Sequence, residues 1–174
     1  MSSPNFKLPT LYSFFFLVVE PISTFVGAYY AHFQPAVYLQ LTHAASSPST
    51  PAEIPLATSI VLTQLANLYL LFGINEALVL RSTSSQQVWR AVLMGLLLAD
   101  LGHLYSVSGL GAEVYFKFWT WNEMMWGNVG FVYVGAAMRI AFLLGVGLNT
   151  QSGREGAMKA EMRKELQTGS KRVT

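Results

Sequence analysis

The chain has no cysteine, which excludes a disulfide framework and any thiolate metal site and leaves the redox compartment unreadable. It is also poor in charge: 11% of its 174 residues are Asp, Glu, Lys or Arg and 52% are apolar, against about 25% charged in an ordinary soluble domain. Long stretches carry one charge or none, while the last two dozen residues carry many. A bilayer explains that segregation better than a globular core does. No internal repeat is apparent. Neither a metalloprotease-like His-Glu-x-x-His spacing nor a phosphate-cradling glycine loop occurs. The length suits one domain.

Crossing a hydrocarbon core of about 30 Å takes about 20 mostly apolar residues in a helix. Four stretches qualify, at about 11–33, 54–80, 87–107 and 126–148. The expected fold is therefore all-α: a polytopic membrane protein with a four-transmembrane-helix bundle over residues 1–150 and a polar tail over 151–174. The first stretch holds Glu20-Pro21, follows a single lysine, Lys7, and has no clear small-residue cleavage site, so it reads as a retained span rather than a signal peptide.

Basic residues in short loops mark the cytoplasmic side. With alternating spans, Lys7, Arg81, Arg90, Arg154, Lys159, Arg163, Lys164, Lys171 and Arg172 share one side and Lys117 stands on the other. Both termini are thus expected in the cytoplasm, with the endoplasmic reticulum as the expected membrane. The loop from Gln34 to Glu53, rich in Ser, Thr and Pro, is expected on the far side without regular structure. Val114 to Met125, with Tyr115, Phe116, Phe118, Trp119 and Trp121, reads as an aromatic segment at headgroup level, either an anchoring belt or a lid over a pocket. The tail reads as solvated, with Ala157 to Leu166 able to form a short amphipathic helix.

Ionisable groups at bilayer depth cost at least ~2.5–3.5 kcal/mol each, so they normally face the bundle interior and mark a site. Glu20, Glu76, Asp100, His103 and Arg139 are the candidates. At 100° per residue, Ser13, Glu20, Thr24, Gly27 and Ala31 share one stripe of the first helix. Trp89, Leu96, Asp100 and His103 share one on the third, and Asn128, Gly135, Arg139 and Val146 share one on the fourth. On the second helix the polar seam reads as Gln64, Asn67 and Asn75, with Glu76 and Tyr69 on another face.

At a rise of 1.5 Å per residue, Glu20 and Arg139 both lie roughly 13 Å from the cytoplasmic boundary, so they are expected to meet. Asp100 and His103 are expected to meet Asn67 and Gln64. Glu76 lies near the boundary and can snorkel or pair with Arg81. A carboxylate one turn before an imidazole reads as an acid/base couple. The ion pair also reads as a register lock and the amides as interhelical glue. Gly73, Gly95, Gly102, Gly135, Gly145 and Gly147 read as close-packing positions. No metal site and no transport frame is indicated.

The runs Glu20-Pro21, Gln64-Leu65-Ala66-Asn67-Leu68-Tyr69, Asn75-Glu76, Ala99-Asp100-Leu101-Gly102-His103-Leu104, Trp126-Gly127-Asn128 and Arg139-Ile140-Ala141-Phe142-Leu143-Leu144-Gly145 resemble a family of small fungal four-helix membrane proteins, over about Leu8 to Leu148. In architecture the chain is also similar to the emopamil-binding and sigma-2 receptor superfamily, and to small fungal membrane cyclases and epoxide-rearranging enzymes. The resemblance implies a cofactor-independent isomerase or cyclase of secondary metabolism acting on an epoxidised prenyl or polyene chain. In that reading Asp100 is the acid, His103 its partner and base, and Glu20 a second acid or balancing anion. Tyr69, Trp89, Trp121 and Trp126 shelter a cation, and Gln64, Asn67, Asn128, Glu76 and Arg139 complete the substrate contacts. The expected partners are a lipophilic small molecule and membrane lipid, with a homodimer open and no nucleic acid. The competing reading is a non-catalytic sterol- or lipid-binding protein or accessory subunit.

Overall fold

The computed structural model describes residues 8–47, 54–148 and 162. Among them the architecture is all-α. Four helices are long and apolar enough to cross a membrane: α1 (Thr10–Phe33), α3 (Leu56–Leu80), α4 (Gln86–Leu110) and α5 (Glu123–Leu143). A short helix α2 (Pro35–Thr42) follows α1 directly. The stretch Gln34 to Glu53 thus carries regular structure where none is expected, because Pro35 sits at a first helical position, where its missing N–H costs nothing.

α1 packs along α3, and α4 packs along α5. Leu11, Phe14, Ile22, Leu68, Leu71, Leu98, Leu101 and Ile140 lie exposed on the outer faces, as lipid-facing positions of an integral membrane protein do. The buried core is divided. One cluster, near the start of α1 and the end of α5, joins Tyr12, Phe15, Phe16, Leu80, Trp89, Leu93, Leu96 and Phe142. The other, at the opposite end, joins Ala28, Ala31, Tyr38, Leu62 and Ala66. Small residues let α1 and α3 approach in between: a Cβ on Gly73 would collide with Thr24 Oγ1, and one on Gly27 would press on the Tyr69 ring at 3.3 Å.

The other glycines correct the close-packing expectation. Gly95 and Gly102 have open space around them, and Gly145 and Gly147 take positive φ of 82° and 71°. Gly145 ends α5 at Leu143, since only a residue without a Cβ adopts that backbone readily; the N–H of Val146 returns to the Ala141 carbonyl at 2.9 Å.

Three of the four spans contain a widened, π-helical turn: Phe15–Val19, Asn75–Leu80 and Trp126–Gly130. The first adjoins Pro21, which has no N–H to offer the Leu17 carbonyl four residues earlier. Arg81 Nη2 donates to that carbonyl instead. Arg81 is therefore engaged with the α1 backbone rather than with Glu76.

This arrangement predicts that Arg81→Ala lowers stability by about 0.5–1.5 kcal/mol, the net worth of one hydrogen bond. The loss should shrink in a Pro21→Ala background, which restores a local N–H donor to Leu17. Thermal unfolding of the four proteins in detergent checks this; strictly additive losses would contradict the assignment.

Candidate active site

The wide turns flank the polar interior. Glu20 follows the first, Glu76 lies in the second, and Trp126 and Asn128 lie in the third. Such turns are single wider turns set inside an α-helix, and they recur at functional sites.

Arg139 of α5 stands at the centre. Its Nη1 donates to Asp100 Oδ2 of α4 at 2.7 Å, and its Nη2 donates to Glu20 Oε1 of α1 and lies 3.4 Å from Glu76 Oε1 of α3. One planar guanidinium, with donors spread in a fixed fork, thus joins all four spans. Gly135, one turn before Arg139, makes room for it: an added Cβ would come within 2.6 Å of Nη1. Phe16 lies against the guanidinium, its ring centre 5.8 Å away. Glu76 and Arg139 are almost fully buried, at 1% and 2% exposure.

Beside this cluster lies a cavity of about 570 Å³, within the ~300–1,000 Å³ typical of small-molecule sites. Glu20, Glu76, Asp100, His103 and Arg139 line it together with Phe72, Leu96, Phe131 and Val132. Toward the opposite end Tyr38 and Tyr69 join through their hydroxyls at 3.1 Å, and the Asn128 side chain lies beside Tyr38. Burial pushes the Tyr38 hydroxyl above its ordinary value, so it stays a neutral O–H. Leu41, Glu123 and Met124 complete that end, where Asn122 Nδ2 donates to the Leu41 carbonyl at 2.9 Å and ties the aromatic segment to α2.

Four buried side-chain polar atoms have no partner among the described residues: Glu20 Oε2, Glu76 Oε2, His103 Nε2 and Arg139 Nε. All belong to residues that line the cavity. Buried polar groups are normally paired, so their concentration at one hollow marks a place prepared for something polar. The cation set among the carboxylates is the guanidinium itself. Among the described residues no group of three or more His, Asp or Glu side chains is arranged to hold a metal ion.

Several expectations from the sequence are met here and others are not. Glu20 meets Arg139 as its depth implied. Asp100 bonds Arg139 and not His103, which hydrogen-bonds the Asn128 backbone. Gln64 and Asn67 are exposed on the outer face of α3, so neither reaches Asp100 or His103. The inward stripe of that helix is Leu62, Ala66, Tyr69, Gly73, Glu76 and Leu80, repeating at three or four residues. That spacing is present in the sequence, but the amides Gln64 and Asn67 are more polar than Tyr69 and Gly73 on that stripe. Tyr69, Asn128 and Trp126 do line the cavity. Trp89 does not: it is 2% exposed, lies against Phe16 and Phe142, and spends its Nε1–H on the Thr83 carbonyl at 3.2 Å. Trp121 gives its Nε1–H to the Val114 carbonyl at 3.0 Å and reaches the site only by packing edge-on against Trp126. Phe72, Phe131 and Tyr38 are cavity residues that the sequence did not single out. The segment Ala157 to Leu166 lies outside the described residues apart from Met162.

The model of the family described as Domain of unknown function (DUF7704) matches residues 5–149. The chain belongs to that family. The match takes in all four spans of this DUF7704 protein and every residue of the cluster. No curated protein and no solved structure matches it.

Removing one partner of a buried charge cluster leaves the others uncompensated, at about 3–5 kcal/mol. Arg139→Gln is therefore expected to lower the unfolding temperature more than any single acid-to-amide change in the cluster. Combining it with Glu20→Gln should recover part of the loss. A double variant no more stable than Arg139→Gln alone, in thermal unfolding by tryptophan fluorescence, would contradict the charge-balance account.

Proposed function

We propose that this DUF7704 protein is a membrane-embedded, cofactor-independent isomerase or cyclase that rearranges a lipophilic epoxide or polyene. The observation that carries the reading is the set of buried, unpartnered carboxyl and imidazole atoms on residues that line one largely apolar cavity between the spans. Three carboxyls share one guanidinium. With all three ionised the cluster would hold a formal charge of −2 in a dry place, which desolvation and mutual repulsion oppose. A cluster of this kind retains protons, and a retained proton next to an apolar hollow is what acid-initiated rearrangement needs.

Asp100, the least buried of the three acids at 13% side-chain exposure, is the donor in this reading. Its O–H proton passes to the epoxide oxygen, the adjacent C–O bond breaks, and the oxygen leaves as a hydroxyl with positive charge on carbon. Electrons of a neighbouring C=C bond, or a migrating hydrogen, quench that charge and move it along the chain. His103 Nε2 accepts the C–H proton lost at the end, and after product leaves it gives that proton to water while water reprotonates Asp100. No atom is gained or lost, so the product is an isomer. Tyr69, Phe72, Trp126 and Phe131 present ring faces that shelter the cation. Arg139 holds the carboxyls in place.

The same reading places the protein in the endoplasmic reticulum with both termini in the cytoplasm, supported by the nine basic residues on one side against Lys117 on the other. An N-glycosylation acceptor introduced between His43 and Glu53 is then expected to be modified, and one placed between Arg81 and Gln86 is not; the reverse pattern contradicts this orientation.

Asp100→Asn is expected to lower turnover by ~10²–10⁴-fold, the range for general-acid catalysis, with expression unchanged. The assay incubates microsomes with epoxidised prenyl precursors and follows an isomer of unchanged mass by chromatography. Undiminished conversion by Asp100→Asn would remove the proposal, and a wild-type protein that retains lipid without converting it would support a binding role in its place.

A further inference from the structure

The cavity has two polar ends. Tyr69 precedes Glu76 by seven residues, which at 100° per residue brings both side chains to within about 20° of one direction and roughly 10 Å apart along the axis of α3. Phe72 lies between them, and all three line the cavity. One end is the carboxyl and guanidinium cluster. The other is the hydroxyl pair Tyr38–Tyr69 with Asn128 beside it.

The hydroxyl pair is not self-sufficient. Two tyrosine hydroxyls hold two O–H protons, and the single hydrogen bond between them, 3.1 Å long, uses one. The second proton has no acceptor in the pair, and Tyr38 is 7% exposed, so bulk water does not reach it freely. Gly27 keeps the Tyr69 ring where it is, since a Cβ there would meet the ring at 3.3 Å. Fixed aromatic hydroxyls with a spare donor, at the far end of an apolar passage, select for an acceptor on the ligand.

We propose that Tyr38, Tyr69 and Asn128 form an oxygen-recognition site, so that the ligand is an elongated lipophile carrying a hydroxyl or carbonyl oxygen at one end, held away from the acid cluster. The inference deepens the proposed function, since it rests on the cavity accepting a lipophilic molecule, and it specifies which end of that molecule lies away from the acids. The oxygenated end lies by α2 and the aromatic segment, the apolar chain runs past Phe72, and the distal end meets the acids.

The test uses the purified full-length protein in nanodiscs with tritiated farnesol as probe. Unlabelled farnesol and the corresponding hydrocarbon farnesene compete at equal mole fraction in the bilayer. Farnesol is expected to displace the probe at roughly 3- to 10-fold lower concentration, the return of one net hydrogen bond. In Tyr38→Phe/Tyr69→Phe the two competitors should fall within about twofold of each other by the same arithmetic, while Glu76→Gln keeps the gap. If the double variant fails to fold, Tyr69→Phe alone carries the comparison, with the gap reduced. Equal competition in the wild type, no specific binding of farnesol, or a gap that survives loss of the hydroxyls would overturn the inference. A tyrosine-dependent preference in a protein that isomerises nothing keeps this inference and removes the enzyme reading; conversion of epoxides without the preference does the opposite.

Discussion

The guanidinium of Arg139 touches a carboxylate from each of the other three spans, and most of the interior is organised around that contact. Between helices in a bilayer there is little hydrophobic driving force, so close packing and polar contacts must bring them together. Here the close packing is between α1 and α3, where Gly73 meets Thr24 and Gly27 meets Tyr69. The polar contact is the fork of Arg139. It fixes the height of Glu20, Glu76 and Asp100 relative to one another, and Gly135 leaves the volume it occupies. The wide turns at Phe15–Val19 and Asn75–Leu80 lie against each other next to the two glutamates.

Stability alone is a poor reason for such a cluster. Replacing buried ion pairs with apolar residues of similar volume is often neutral or stabilising, and a packed apolar centre would also have closed the cavity. Instead the core is divided into two apolar clusters with the cavity walls between them. Unpaired oxygens and an unpaired imidazole nitrogen are buried on residues that line the cavity. Polar atoms left in that condition have a cost that a packed protein avoids; under the proposed function, a substrate or a proton passed between neighbours would offset it. The tyrosine pair at the other end follows the same logic with a neutral donor.

Much of this was legible in the chain. The four spans follow from apolar length alone, and the expected ranges 11–33 and 54–80 differ by at most two residues from Thr10–Phe33 and Leu56–Leu80. The last span stops at Leu143 rather than at 148 because Gly145 takes a backbone that other residues avoid. Three inward stripes were readable because each carries an ionisable group on a helical repeat. The stripe of α3 was misread because Gln64 and Asn67 look more polar than Tyr69 and Gly73. Close approach of α1 requires the small residue Gly73, whose added Cβ would collide with Thr24 Oγ1, and polarity alone does not signal that. Trp89 illustrates a second limit: it shares a face with Asp100, but its depth, in the first turn of α4 beside Phe16 and Phe142, puts it in the core. Which acid bonds to Arg139 depends on side-chain reach across helices, and no single-helix periodicity encodes that.

The central claim is that this interior cluster keeps a proton on a carboxyl group while facing an apolar hollow. Infrared spectroscopy of the purified protein in lipid at neutral pH tests it directly, because a protonated carboxylic acid has a carbonyl stretch distinct from that of a carboxylate. The account predicts such a band, shifted or lost when Glu20, Glu76 or Asp100 is changed to its amide. A wild-type spectrum showing only ionised carboxylates, unchanged in all three variants, would contradict it.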